Sequence, residues 1–527
     1  MSLFSQRLAI LADPENRDLS RVYKGLEKES LRVTPEGTLA QSAHPESLGS
    51  ALTHPRITTD YSEALLEFIT SPTDSTEDLL QELDRIQAYT YRQLGDELLW
   101  GASMPCMLGV DSDIPVAQYG SSNPGRMKTV YRLGLGERYG RVMQTIAGIH
   151  YNFSVSDEFW QFWHEREGRE DSLQDYKNRR YFDLIRNFRR NFWLLLYLFG
   201  ASPAVCRSFV KGREHQLQPF GEDEHSLHLP YATSLRMGNL GYQSSAQNSL
   251  VVNYNDLDTY LQTLCEAITS PHETYQGIGL KNAEGDYHQL NTSLLQIENE
   301  FYSTIRPKRT AKSGETALSA LHNRGVEYIE VRCIDINPYE PLGINAEQVN
   351  FLDAFLYYCL LVGSPETDCE KYRRSLENQR LMVEEGRDPA MRLLSAAGEQ
   401  SAAQWGHALL DDIARAAALL DSTYGTSHYS EAVEAQRAKL DDPSLVPSAR
   451  ILADMKDSGQ TFYGLAMSLA GEHKANYDGV EVPADWLATM KSQVSQSWQD
   501  QADIEANTDV DFETYIAQYY AQYNCCQ

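Results

Sequence analysis

Residues 25–32 read GLEKESLR. An extended strand has a side-chain period of two, so Glu27 and Glu29 point to one face, about 6–7 Å apart along the chain. The same grammar returns in three other segments. In QTIAGIHYNFS (144–154) one face carries Ala147, Ile149, Tyr151 and Phe153, and the other carries Gln144, Ile146, Gly148, His150, Asn152 and Ser154. In VEYIEVRCI (326–334), Glu330 and Arg332 share a face with Tyr328, and DYSEALLEFITS (60–71) supplies Asp60, Glu63 and Glu67. Any one segment alone reads as an amphipathic strand with a solvated face, and a lone His150 as a hydrogen-bonded core residue. Together they constrain the fold more tightly. Strands that bury their apolar side bring acids together on the opposite side, where the acids repel unless cations neutralise them. Oxygen ligands with a single imidazole suit Mg²⁺ or Mn²⁺ better than zinc.

The remaining segments place these strands in an α+β chain. SLRVTPEGTLAQS is a hairpin turning at Pro35-Glu36-Gly37. LLQIENEFYS is a further strand candidate, and the strand around His150 is expected to start at Met143 (MQTIAGIHYNFSV). YFDLIRNFRRNFWLLLYLFG has helical spacing at Leu184, Phe188 and Phe192 and closes at Gly200 and Pro203. Past Asn337 the pattern turns helical: AEQVNFLDAFLYYCLLVG ends at Gly363, residues 395–440 are rich in Ala and Leu, and PSARILADMKDSG starts at Pro447 and Ser448. Strands first and helices later favour an antiparallel sheet over alternating α/β. No repeat or low-complexity linker interrupts the chain. The expected division is a catalytic sheet-and-helix region over 1–345 and a mostly helical region over 346–527, packed together as one continuous domain.

The chain has 527 residues and a net charge of −28, which argues against nucleic acid or anionic lipid as its main partner. A small anionic substrate would need a locally basic pocket. The N-terminus shows no secretory pattern, and the apolar run FWLLLYLFG (192–200) is too short to span a bilayer, so a soluble cytoplasmic protein is expected. None of the eight cysteines has metal-ligand spacing. Cys106, Cys206, Cys265, Cys333 and Cys359 lie among apolar residues and read as free buried thiols. Cys525 and Cys526 end a Tyr-rich tail with no catalytic context.

Hard cations with few protein ligands usually accompany bound phosphates. No P-loop motif occurs, and GLGERYG (134–140) has the wrong glycine spacing for a dinucleotide fingerprint. Basic residues do cluster at Arg126, Lys128 and Arg132, and at Arg306, Lys308 and Arg309, with Arg236 and Arg332 standing singly. Each alone reads as a surface charge. Combined with the carboxylates they fit a nucleotide held between metal ions and side-chain cations on an open sheet.

The segments GLEKESLRVTPEGTLA, HPESLGSALTHPRITTDYSEALLEFITSP, AQYGSSNPGRMKTVYRLGL, MQTIAGIHYNFS, LFGASPAVC, LPYATSLRM, QIENEFYSTIRPKR and GVEYIEVRCIDINP, in this order, resemble the proteobacterial glutamate–cysteine ligases (γ-glutamylcysteine synthetases). The similarity is dense from Gly25 to Pro338 and thinner through the helical third. It implies a curved antiparallel sheet forming a funnel-like active site surrounded by helices, related to glutamine synthetase and guanidino kinases. It also implies ATP-dependent ligation of L-cysteine to the γ-carboxylate of L-glutamate through γ-glutamyl phosphate, the first step of glutathione biosynthesis. On this pattern Glu27, Glu29, Asp60, Glu67, His150 and Glu330 hold Mg²⁺, with Mn²⁺ as a substitute, and Arg332 and Glu330 act at the transferring phosphoryl group. Tyr131, Leu135, Gln144, Ile146, Arg236, Tyr242 and Tyr302 line the amino-acid sites. Tyr131, Leu135, Tyr242 and Tyr302 form a small pocket that selects cysteine. Feedback inhibition by glutathione and a monomeric state are further expectations. His164 stands where some members carry a cysteine, which speaks against a regulatory disulfide through Cys206.

Other readings predict different residues. A ligase or kinase on the same sheet with another amine acceptor would keep the metal carboxylates. A binding protein that had lost catalysis would lack them, yet all are present. A glycosidase using paired carboxylates would need neither the cation nor the basic cluster.

Overall fold

The computed structural model describes residues 1–241, 247 and 250–526. The main sheet takes β1 (Val22–Val33), β2 (Ile57–Thr59), β3 (Leu65–Ile69), β4 (Leu98–Leu99) and β5 (Ile149–Val155) from the first part of the chain. A separate small sheet of β6 (Ala204–Cys206), β7 (Gln218–Phe220) and β8 (Asp223–His228) follows, and β9 (Ile305–Lys308) and β10 (Tyr328–Ile334) complete the main one. The strand order is β2-β3-β1-β5-β10-β9, with β4 pairing the end of β1, and every pair is antiparallel. The expected α+β class holds, with the open sheet built from the segments whose alternation marked them as strands.

The two faces of this sheet differ. On the covered face lie Lys24, Leu26 and Lys28 of β1, all buried. Lys24 Nζ sits 2.8 Å from Asp353 Oδ2, and Tyr151 donates to the other oxygen of Asp353 at 2.7 Å. Asp353 belongs to the helix Ala346–Leu361, which is buried on all sides from Gln348 onward. That helix is therefore buried all round rather than amphipathic, with Asp353 paired inside. Lys28 donates to Gln87 of the helix Thr76–Tyr91, and burial pushes its ammonium down to about 7.

Three local expectations are corrected. LLQIENEFYS is not a strand: Glu298–Glu300 is a 3₁₀ turn whose acids point inward, with Gln296 N–H donating to Glu300 at 2.6 Å. The strand around His150 begins only at Ile149, because Met143–Thr145 forms another 3₁₀ turn. Cys106 and Cys206 are not free thiols but a disulfide with Cα atoms 5.4 Å apart, and Cys265 is also disulfide-bonded. A pairing between a loop residue and the end of β6, 100 residues apart, leaves no trace in local sequence. The expectation from His164 that Cys206 takes no part in a disulfide thus fails as well; His164 itself contacts the Asp171 carbonyl and packs edge-on to Tyr176. Cys333 and Cys359 are free and buried, as expected.

Candidate active site

Antiparallel register carries the acids of separate strands onto one row. Glu67 of β3 lies opposite Glu29 of β1, and Glu27 lies opposite His150 of β5. On the other side of β5, Asn152 faces Glu330 of β10, which in turn faces Arg306 of β9. Directly opposed residues project to the same face, so this row crosses the sheet on the side away from the Ala346–Leu361 helix. His150 Nδ1 is 3.0 Å from Glu27 Oε2 and its Nε2 is 3.7 Å from Glu29 Oε1. Glu27, His150 and Glu330 each bring a ligand atom within 4.8 Å of the others. The pairing of β10 with β5 is irregular between Val331 and Ile334, the stretch of the strand that carries Arg332. A bulge of this kind re-aims a side chain, and Arg332 Nη1 reaches back to Glu330 at 3.0 Å.

Charge is distributed unevenly along the row. Burial and the neighbouring Asp60 push Glu29 up to about 7. Burial, with Glu27, Asp60 and Glu29 nearby, holds Glu67 well above the usual carboxylate range. At the other end, burial raises Glu330, but Lys308 and Arg332 outweigh it and keep the carboxyl well below its ordinary value. Lys308 Nζ lies 3.1 Å from Glu330 Oε1. The Glu29–Glu67 end thus gathers anions more densely than side-chain cations offset them. Carboxylate oxygens with one imidazole are the donor set of a hard divalent cation, which would lower both raised groups.

The cationic side chains come from two directions. The helix Asn123–Tyr139 is capped by the Ser122 hydroxyl, and it places Lys128 and Arg132 one turn apart over the Tyr119 ring. Arg132 also donates to the Asp60 carbonyl. Burial and Arg132 press Lys128 down to about 8, while Glu67 opposes the shift. Arg306 is buried opposite Glu330, with its guanidinium bonded to the carbonyls of Asn299 and Phe301. A cavity of about 400 Å³ opens beside Arg332 and is lined by Arg236, Tyr302, Thr304 and Gln247. Tyr302 accepts from Gln144 Nε2 at 3.0 Å. Ile146 and Leu135 are buried nearby in sequence terms, on the 3₁₀ turn's end and on the Asn123–Tyr139 helix.

Comparison with known proteins gives one answer. The family profile described as Glutamate-cysteine ligase matches residues 8–382. The chain belongs to the glutamate–cysteine ligase family. It is 54% identical over 509 residues to a glutamate–cysteine ligase of Saccharophagus degradans, covering 96% of both chains. It is 50% identical over 525 residues to one from Alcanivorax borkumensis, covering 99% of this chain and all of the other. The crystal structure of a glutamate–cysteine ligase from Francisella tularensis in complex with AMP superposes with a TM-score of 0.90 at 37% identity, over 96% of this chain and 99% of that one.

Within this ligase fold some of the residues picked from sequence fall elsewhere. Arg126 points off the shared face of its helix and lies over the Phe512 ring. Arg309 follows β9 and donates to the carbonyls of Arg324 and Gly325. Neither reaches the carboxylate row. Glu63 is an anchor rather than a ligand: its oxygens accept the backbone N–H groups of His44 and Gln118. Tyr131 is partly buried in the wall of the same ligase helix, where burial raises its phenol. Tyr242 lies outside the described residues. Two contributors were passed over. Asn152 donates to Glu27 at 2.8 Å, and its place on the His150 face was visible in the alternation. Gly148 donates its N–H to Glu29, a backbone role that no residue type announces.

Proposed function

We propose that the chain couples ATP cleavage to amide formation between the γ-carboxylate of L-glutamate and the amine of L-cysteine, giving γ-glutamylcysteine, ADP and phosphate. Membership of the ligase family supports the reaction, and the observation that carries the site is the Glu27–His150–Glu330 cluster beside Arg332. A glutamate γ-oxygen attacks the γ-phosphorus of ATP, ADP leaves, and the cysteine amine displaces phosphate from the resulting γ-glutamyl phosphate. Both steps bring anions or lone pairs toward a charged phosphoryl group, so positioning and charge neutralisation supply the catalysis.

Glu27, His150 and Glu330, with Glu29, Asp60 and Glu67 at the other end of the row, are the residues that would hold Mg²⁺ or Mn²⁺. Bound there, a divalent ion would neutralise triphosphate charge. Arg332, held by Glu330 beside the sheet irregularity, acts on the transferring group, a role its place next to the acid row supports. Lys308, Arg306, Lys128 and Arg132 flank the row and offset phosphate charge from the chain's own side. Arg236 binds the carboxylate of the acceptor amino acid, because it shares its cavity with Tyr302, whose hydroxyl is fixed by Gln144. Tyr131, Leu135 and Tyr302 wall the side-chain pocket and penalise larger acceptors by about 1–3 kcal/mol per misfit methylene. Glutathione, which contains the product, competes for the same cavity. The ligase acts as a cytoplasmic monomer; among the described residues no helix is long and apolar enough to cross a membrane.

The test is regiochemical. With ATP, Mg²⁺, glutamate and cysteine, mass spectrometry with fragmentation should show the amide on the γ-carboxylate. An α-linked dipeptide, or no amide at all, would refute the assignment.

A further inference from the structure

Arg236 does not hold its position alone. It lies in a short 3₁₀ turn, Leu235–Met237, that follows Ser234, and its side chain is buried. Arg236 Nη1 is 3.5 Å from Oδ1 of Asp335, the residue just after β10, whose side chain is fully buried. The Asp335 carboxylate is in turn fixed from two sides: Oδ2 accepts the Ala201 N–H at 2.8 Å and Oδ1 accepts the Ser234 hydroxyl at 2.9 Å. The other end of the guanidinium donates through Nη2 to the Arg332 carbonyl at 3.0 Å. It also passes so close to Gly148 that a Cβ there would come within 1.9 Å of Nη2. One guanidinium is therefore clamped between a buried carboxylate, the backbone of the phosphoryl-facing arginine and a glycine with no side chain to obstruct it.

We infer that Asp335 is a positioning residue for acceptor recognition: it aims Arg236 at the carboxylate of the incoming amino acid and so sets the preference for α-amino acids over simple amines. A buried charge pair with satisfied hydrogen bonds fixes direction better than a solvated arginine does. Asp335 itself does not face the acceptor in this arrangement, since its oxygens are turned to Ala201, Ser234 and Arg236. The inference rests on Arg236 as the carboxylate-binding residue, and the experiment separates the two claims.

The measurement is the selectivity for cysteine over cysteamine, which lacks the carboxylate, taken as the ratio of their kcat/KM values. Arg236→Gln should collapse this ratio. Asp335→Asn, which keeps the size and an acceptor for Ala201, should lower it at least tenfold, through a raised KM for cysteine with the KM for cysteamine within twofold. Loss of fold or general activity would move both substrates together, so the ratio separates positioning from mere structure. A ratio unchanged in Asp335→Asn while Arg236→Gln collapses it would overturn the role of Asp335. A ratio unchanged in both would overturn the carboxylate role of Arg236 and the inference with it. Should Asp335→Asn fail to fold, Ser234→Ala removes one of the bonds that orient the carboxylate. It must then lower the ratio about threefold, and no change in that variant would equally overturn the role.

Discussion

Glu29 and Gly148 are tied to each other twice. The Glu29 N–H donates to the Gly148 carbonyl at 3.0 Å, and the Gly148 N–H donates to the Glu29 carboxylate at 2.6 Å. One carboxylate oxygen is thereby fixed to the backbone just before β5 while the other faces His150. The Glu29 side chain is set in direction before any substrate arrives.

This separates its structural from its chemical role. Glu29→Gln keeps an oxygen for Gly148 but loses the charge that burial and Asp60 already disfavour. Turnover should fall by at least about 100-fold, as for loss of one charge-stabilising group at a phosphoryl-transfer site. The melting temperature measured without added divalent ion should stay equal or rise. Unchanged turnover would remove Glu29 from the site.

The Tyr302 hydroxyl accepts from Gln144, and Tyr302 lines the cavity beside Arg332. Tyr302→Phe loses one net hydrogen bond, worth about 0.5–1.5 kcal/mol. The expected result is a rise of about 3–10-fold in KM for cysteine with kcat within twofold, read by steady-state kinetics. A fall in kcat alone would place Tyr302 in the chemical step instead.

Acid sensitivity of the fold should come partly from His54. Its Nδ1 accepts the backbone N–H groups of Arg56 and Ile57 at 3.2 and 3.0 Å, so the ring must stay neutral, and burial with Arg56 nearby lowers its pKa to about 4. The unfolded chain takes up the proton first, near pH 6.5. The associated stability is fully present above pH 6.5 and is lost as pH falls toward 4, by about 3 kcal/mol. His54→Asn keeps an acceptor that cannot titrate, and urea unfolding of this variant should lose that much less between pH 7 and 4. Parallel curves for the two proteins would contradict this.

The disulfide between Cys106 and Cys206 closes a loop of 100 residues. A cross-link of this span stabilises by up to about 4–5 kcal/mol through the unfolded chain. The double variant Cys106→Ser, Cys206→Ser should unfold at correspondingly lower denaturant. This variant isolates that bridge, because a reductant would also cut the bond at Cys265. An unchanged midpoint would show that the bridge adds no stability.

Much of the site was legible in sequence because its logic is local. The period of two put Glu27 with Glu29 and His150 with Asn152, and acids gathered on one face pointed to a hard cation. Register was not legible: that Glu27 faces His150, and that Asn152 lies between β1 and Glu330, depends on how strands pair, which no single segment encodes. For the same reason basic residues adjacent in sequence separated in space. Lys308 reached Glu330 while Arg309, one residue on, turned to cap the Ala317–Arg324 helix end. Backbone contributors such as Gly148, and long-range pairs such as Cys106 with Cys206 or Arg236 with Asp335, leave no local mark.

The central claim is that one row of acids and flanking cations couples ATP cleavage to amide formation. A continuous ADP-release assay with Mg²⁺ tests it directly, omitting glutamate and cysteine in turn and comparing ADP with γ-glutamylcysteine formed. The account predicts equal amounts of both products, dependence on both amino acids, and loss of activity on chelation. ADP release that requires glutamate but is indifferent to cysteine and other amines, with no matching dipeptide, would contradict it.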